Sequence, residues 1–232
     1  MISVCMATYN GEKYIADQII SIENQISNSD ELIISDDGST DNTVNIIHHF
    51  SNIYDNIKYI KGPQKGVVSN FECALKEASG DIIYLSDQDD VWLGNKVEII
   101  NNYLENTNCL VVNHDAIIVD EKCNIIGESF YRYRGRRKGI IKNIIKTSYL
   151  GCCMAFKREL LDYILPFPEK IQWHDWWIGL IAENTGGVCF LEDKLILYRR
   201  HGNNTSSFNH FPLLKMIKIR MVMLYEIMKR IL

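Results

Sequence analysis

Short apolar runs and helix-spaced runs alternate from residue 2 to residue 85, and that alternation leaves few folds open to the chain. Residues 2–7, 32–35, 57–60 and 81–85 are β-prone. Between them, residues 13–26 carry Ile15, Ile19, Ile22 and Ile26 at helical spacing. Residues 41–50 carry Val44, Ile47 and Phe50 on one face, and residues 67–78 carry Val67, Phe71, Ala74, Leu75 and Ala78. Ser39, Thr40 or Asp41 supplies an N-cap to the second helix, and Gly80 stands just beyond the third as a stop. Strands alternating with helices through short links predict βαβ units: an α/β fold, with a mostly parallel sheet and helices on both faces.

Ligands of open α/β sheets bind beyond the carboxyl ends of the strands. Polar clusters follow each of the four runs: Thr8-Tyr9-Asn10, Asp36-Asp37-Gly38-Ser39, residues 61–65 ending in Lys65, and Asp87-Gln88-Asp89-Asp90. A turn explains one such loop; four at one rim predict a binding site. Asp87 and Asp89 flank a single residue, and two hard oxygen ligands so close suit Mg²⁺ or Mn²⁺ bound with substrate phosphates. The competing reading is an acidic loop with Asp90 as N-cap of a helix from Trp92 onward. Asp36 or Asp37 can accept hydrogen bonds from a base or a ribose, or can belong to an Asx-turn and helix cap.

Beyond residue 109 the alternation is less regular. Residues 109–112, 116–119, 152–156, 188–191 and 195–198 read as strands, and residues 158–164 and 173–182 as helices. Residues 129–158 hold no Asp or Glu but carry Arg132, Arg134, Arg136, Arg137, Lys138, Lys142 and Lys146. That stretch is a local basic surface, or a solvated loop. Residues 213–232 read as an amphipathic helix with Leu214, Ile217, Met221, Leu224, Met228 and Ile231 on one face and five Lys and Arg besides. It fits an anionic membrane surface, a partner, or its own domain. The expected division is a domain over residues 1–204 and a basic helical tail over residues 205–232.

A chain of 232 residues can bury a core without a disulfide or metal, and its net charge of -4 argues against nucleic-acid binding. Seven scattered cysteines without a CxxC pair read as small buried hydrophobes in a reducing cytosol. The start has no basic, apolar leader pattern, and no run approaches the ~20 apolar residues of a membrane span, so a cytosolic location is expected, with peripheral membrane contact open.

Taken in order, ATYNGEKYI, ISDDGSTDNT, residues 66–70, SGDIIYLSDQDDVW, GCCMAFKREL, HDWWIGLIA and YRRHGNN resemble the inverting family-2 glycosyltransferases of the GT-A fold. The likeness covers residues 1–204, and DQDDVW, HDWW and YRRHGNN are most similar to the bacterial rhamnosyltransferase-type subgroup. The resemblance implies a nucleotide-diphosphate sugar donor, dTDP-rhamnose or a UDP-hexose, and a saccharide or lipid-linked acceptor in surface polysaccharide synthesis. It implies that Thr8, Tyr9 and Asn10 line the nucleotide pocket, that Asp36 or Asp37 holds base and ribose, and that Lys65 and Gln88 belong to the donor set. It makes Asp89 a ligand of Mg²⁺ or Mn²⁺, puts Asp87 on ribose, sugar or metal, lets His201 complete the metal shell, and offers Arg199 or Arg200 to the diphosphate. Asp175 falls where the family places its general base, with Gly151, Trp176 and Trp177 on the acceptor side. Two other classes remain to be weighed. A sugar-phosphate nucleotidyltransferase would need a glycine-rich basic loop where this chain has ATYNGEKY, and a non-catalytic nucleotide-sugar binder would not need the full acidic set.

Overall fold

The computed structural model describes residues 1–202, 204 and 212–231. The expected alternation forms as β1 (Ile2–Thr8), α1 (Ile15–Glu23), β2 (Glu31–Asp36), α2 (Thr43–Ser51), β3 (Ile57–Lys61), α3 (Val67–Glu77) and β4 (Ile82–Asp87). Neighbours β3-β2-β1-β4 are all parallel. Their register brings the polar strand ends level, because Thr8 pairs with Asp36, Asp36 with Lys61, and Ala7 with Asp87. Loops that are distant in sequence therefore leave the sheet along one rim.

The sheet continues as β8 (Met154–Lys157), β6 (Val111–Val119), β9 (Val188–Arg199) and β5 (Val91–Trp92), with β7 (Ile125–Gly127) paired to β6. Here pairing is mixed: β4-β8, β8-β6, β9-β5 and β6-β7 are antiparallel and β6-β9 is parallel. The parallel arrangement thus holds for the first four strands and gives way beyond β4. The four strand runs read at 109–112, 116–119, 188–191 and 195–198 are two long strands. Both are continuous through polar residues, because Asn113, His114 and Asp115 on β6 are buried and bonded while the ladder shifts register beside Asp115.

Side-chain alternation along β1 explains the layers. Val4 and Met6 face one core with Ile15, Ile19 and Ile22 of α1, Ile47 of α2, and Val97, Ile100 and Leu104 of α4 (Lys96–Glu105). Cys5 and Ala7 face the other, with Phe71, Ala74 and Leu75 of α3 and Trp177, Ile178 and Ile181 of α8 (His174–Thr185). The helix expected from Trp92 starts instead at Lys96, after β5, and Asp90 does not cap it. Asp41 does steady the start of α2, its carboxylate accepting the N–H of Thr43 at 3.0 Å.

The basic stretch is not one loop: it contains the short helices α5 (Phe130–Arg134) and α6 (Ile140–Ile145). A further short helix, α7 (Leu161–Ile164), leads toward α8. The last helix, α9 (Leu213–Ile231), packs on α6 and α8 through buried Met223 and Ile227, and Arg230 donates to the carbonyls of Tyr163, Leu165 and Pro166. Asn203, residues 205–211 and Leu232 of the expected tail and YRRHGNN segment lie outside the described residues. The cysteines depart from expectation in the Cys109–Cys189 pair, in half-buried Cys73 and in exposed Cys123. Cys109 and Cys189, 80 residues apart, are joined as a disulfide, because β6 and β9 run side by side; Cys5, Cys152 and Cys153 are buried thiols as expected, and Cys123 is exposed. Spacing along the sequence carries no trace of that pairing.

Leu85 is fully buried beside α3, whereas Ile125 on β7 is 64% exposed. Leu85→Ala is expected to cost about 2–5 kcal/mol in urea unfolding, and Ile125→Ala less than about 0.5 kcal/mol.

Candidate functional site

A cavity of about 1020 Å³ opens over the aligned rim. Its first wall is knitted from the loops after β1, β2 and β3. Gln88 staples the β4 loop to the β1 loop: its Oε1 accepts from the Thr8 hydroxyl and the Tyr9 N–H, and its Nε2 donates to the Tyr9 carbonyl at 3.0 Å. Asn10 adopts φ 49°, and its Oδ1 accepts the N–H of Thr40 at 2.8 Å while its own N–H donates to the Ser39 hydroxyl.

The two candidates for base and ribose separate here. Asp36 is 2% exposed, and its carboxylate accepts the N–H groups of Gly38 and Ser39 and the Ser39 hydroxyl. It forms the Asx-turn and does not line the cavity. Asp37 does line it, and its two oxygens accept the N–H groups of Gln64 and Gly66 at 2.7 Å each. Lys65, between those two donors, is not part of the cavity wall. Asn70 at the start of α3 was visible only as the end of a motif. Its Nδ2 donates to the carbonyls of Thr8 and Ser35, locking α3 to the rim.

The acidic centre has a facing part and a buried part. Asp87, Asp89 and His201 line the cavity, and His201 Nε2 lies 2.7 Å from Asp89 Oδ2, where Asn204 also donates. The Tyr14 ring stacks on His201 at 4.9 Å. Asp90 is fully buried; one oxygen accepts the N–H of Arg199 and the other has no partner among the described residues. Oxygens of Asp87 and Asp90 and the Cys152 sulfur lie within 4.8 Å of one another. Burial first, then the charges of Asp89 and Asp175, pushes Asp87 up to about 7, and burial with Asp89 and Asp87 raises Asp90 well above the carboxylate range. Beneath them Lys96 is fully buried, donates to the Cys152 carbonyl and lies 4.1 Å over the Trp92 ring; burial lowers it to about 8.

Carboxyls raised by burial first and by neighbouring negative charge second, as Asp87 and Asp90 are, fit a divalent cation. Asp87, Asp89 and His201 give oxygen-rich donors open to the cavity and suit Mg²⁺ or Mn²⁺. Asp90 with the protonated Cys152 thiol turns inward, and a soft thiol is a poor partner for those ions.

Asp175 sits in the first turn of α8 on the far wall, its Oδ1 accepting the N–H of Trp176 at 2.7 Å. Burial pushes it up to about 6, and the Trp176 N–H and the Arg134 charge oppose the rise. His174 beside it is buried, stacks on Phe71 at 4.0 Å, and has no partner on either ring nitrogen among the described residues. Burial depresses it to about 3, so it faces the cavity neutral. Gly151 completes this wall. A Cβ there would come within 2.9 Å of His174 Nε2, so only glycine lets the two segments approach.

Four expected contacts take other roles. Arg199 is 4% exposed and braces the acidic loop: its Nε donates to the Asp89 carbonyl, its Nη1 to the Glu121 carbonyl, and its Nη2 lies 3.5 Å from Asp17. Arg200 donates to the Tyr198 hydroxyl and does not line the cavity. Trp176 and Trp177 are buried, their indole N–H groups bonded to the carbonyls of Asn143 and Ile164. Both are core because α8 is covered by α6, α7 and α9; the aromatic wall of the cavity is Trp173, one turn earlier. Tyr14, Trp173 and His174 all lie inside or next to quoted motifs and could have been found there, whereas Lys96 had no signal beyond an exposed-looking charge.

The chain matches the family model described as glycosyl transferase family 2 over residues 3–165. It is 30% identical over 220 residues to the dTDP-rhamnosyl transferase RfbG of Shigella flexneri, covering 88% of this chain and 74% of that protein. It is also 30% identical over 188 residues to WfgD of Escherichia coli, a UDP-Glc:alpha-D-GlcNAc-diphosphoundecaprenol beta-1,3-glucosyltransferase, covering 79% and 71%. The crystal structure of S. aureus TarS 1–349 with UDP-GlcNAc superposes with a TM-score of 0.76 at 20% identity, covering 97% of this chain and 66% of that one. The chain thus spans about two thirds to three quarters of the length of the relatives it matches.

Asp87, Asp90 and Asp175 all sit above the unfolded value near 4, so the folded state binds more protons than the unfolded state between about pH 4 and about pH 7. These three carboxyls therefore take stability from the metal-free protein as pH rises through that window, while His174 and His114, depressed by burial, add to it. Urea unfolding at about pH 5 and pH 8 is expected to show the carboxyl contribution as a difference between variants, Asp87→Asn being less destabilised, or more stabilised, than the parent on going from pH 5 to pH 8.

Proposed function

Because the chain belongs to glycosyl transferase family 2, we propose that it moves a sugar from a nucleotide-diphosphate donor to an acceptor hydroxyl, inverting the anomeric carbon. The observation that carries this reading is that the acidic pair Asp87 and Asp89, with His201, and the raised carboxyl of Asp175 face one cavity from different walls.

In this reading the loops after β1, β2 and β3 hold the nucleoside, with Asp37 toward base and ribose and Thr8, Tyr9 and Asn10 shaping the pocket. Asp87, Asp89 and His201 would hold Mg²⁺ or Mn²⁺, which would supply Lewis-acid charge neutralisation for the departing diphosphate. Asp175 takes the proton of the attacking hydroxyl; a carboxyl raised to about 6 is still ionised at neutral pH yet more basic than an ordinary one. Trp173, His174 and Gly151 shape the acceptor side. Alignment of donor and acceptor across a fixed cavity supplies the remaining advantage. Residues 1–204 form the transferase unit and residues 205–232 its appendage. By the names of the relatives above, dTDP-rhamnose and UDP-glucose are the first donors to try and a lipid-linked saccharide is the acceptor class; the setting we propose is bacterial surface polysaccharide synthesis at the cytoplasmic face.

Purified protein should release nucleoside diphosphate from one of these donors only with Mg²⁺ or Mn²⁺, and thermal shift should rank the donors, since a ligand of the folded state raises the melting temperature. Asp175→Asn keeps the bond to the Trp176 N–H and is expected to lower transfer about 10²–10⁴-fold with donor binding retained. Near-normal transfer by that variant would remove Asp175 as the base. Asp89→Ala should lose both transfer and the cation-dependent thermal shift.

A further inference from the structure

Helix α9 carries two apolar faces, and only one is used. At about 3.6 residues per turn, Met216, Ile219, Met223 and Ile227 share the face turned to the domain, where Met223 and Ile227 are buried. Leu214, Ile217, Met221, Tyr225, Met228 and Ile231 share the neighbouring face and are all exposed, Leu214 at 82% and Met221 at 60%. Packing on the chain's own domain half-buries Leu224 of the stripe noted in the sequence and leaves its other five residues, with Tyr225, uncovered among the described residues.

The structure adds what the sequence does not show. The basic stretch comes to the same surface, because α6 packs against α9 and Arg220 donates to the Ile145 carbonyl at 2.5 Å. Arg220 lies at the edge of α9 between the buried face and the exposed stripe, so α6 runs beside that stripe. Ile140 and Ile144 of α6 turn inward, while Ile141 and Ile145 are 77% and 61% exposed. Exposed Lys142 and Lys146 border the patch on the α6 side and exposed Lys218 and Lys229 on the far side of α9. Residues 129–158 hold no acid, and the single acid of α9, Glu226, lies away from the stripe.

We infer that α6 and α9 together form a docking surface for an anionic lipid bilayer, lying in the headgroup region with the isoleucines, methionines and Tyr225 inserted and the lysines on lipid phosphates. Charge complementarity selects this occupant. A two-fold contact between copies would set lysine rim against lysine rim, whereas anionic headgroups meet every one of them. No helix among the described residues is long and apolar enough to cross a membrane, and the contact inferred for α6 and α9 is a surface one. The surface also adjoins the candidate site. Asn143 of α6 accepts the indole N–H of Trp176 and the N–H of Ser148, and the chain then runs directly to Leu150 and Gly151 in the cavity wall. The inference rests on exposure and charge and does not depend on the transfer reading.

Sedimentation of the full chain with vesicles tests it. Binding is expected to vesicles of phosphatidylcholine with about one third phosphatidylglycerol, to weaken at high salt, and to be much poorer on phosphatidylcholine alone. Ile145→Glu with Met221→Glu should abolish binding, and each of Lys142→Gln, Lys218→Gln and Lys229→Gln should weaken it about five-fold. All five side chains are exposed, so melting temperatures should stay near that of the parent. No binding to the anionic vesicles, or binding untouched by either set of variants, overturns the inference. So does a lipid-independent dimer in light scattering that Ile145→Glu with Met221→Glu splits, which would give the surface to a second copy.

Discussion

Arg199 is buried where β9 ends, and it holds three distant pieces of chain by donating to the Asp89 carbonyl, the Glu121 carbonyl and the Asp17 carboxylate, while its own N–H goes to Asp90. A buried guanidinium is costly unless its donors are met, and the same residue holds the acidic loop with Asp90 turned in and Asp89 turned out. The Arg199 side chain also lies 4.7 Å over the Tyr14 ring, which in turn stacks on His201. The positions of Asp89 and His201 are thus consequences of one buried cation. Lys96 works on the same loop from below, placing a second positive charge near Asp87 and Asp90. Removing the Arg199 side chain would leave the Asp89 and Glu121 carbonyls without their donor, and removing Lys96 would take a positive charge from beside the buried Asp87 and Asp90 carboxyls.

That arrangement explains why the site resists simple reading by residue type. Four aspartates in two adjacent loops look interchangeable, yet Asp36 closes a turn, Asp37 holds the β3 loop while facing the cavity, Asp89 faces the cavity and Asp90 is a buried anchor. Burial also raises two further carboxyls of the cavity, Asp87 to about 7 and Asp175 to about 6.

Much of the fold was legible. The first four strands and three helices follow apolar period and stop signals, and local pattern is strongest where a strand is buried on both faces and a helix on one. The rim of polar loops followed from the parallel sheet alone. Legibility fell beyond residue 105. There β6 and β9 run unbroken through buried Asn113, His114 and Asp115 and through a charged 192–194 segment, so polarity suggested breaks that the ladder bridges. The resemblance put Trp176 and Trp177 on the acceptor side; helix packing on three sides made them core.

The sequence by itself determined the α/β alternation, the level of the polar loops and the types of group available to the site, because these depend on periodicity and on strand ends. Only the tertiary structure decided which carboxylate faces the cavity, that Arg199 is a brace, that Cys109 meets Cys189, and that α6 lies beside the exposed stripe of α9. Each of those depends on contacts between segments far apart in the chain. Burial and charge balance set such contacts, and neither is a property of any short stretch of residues.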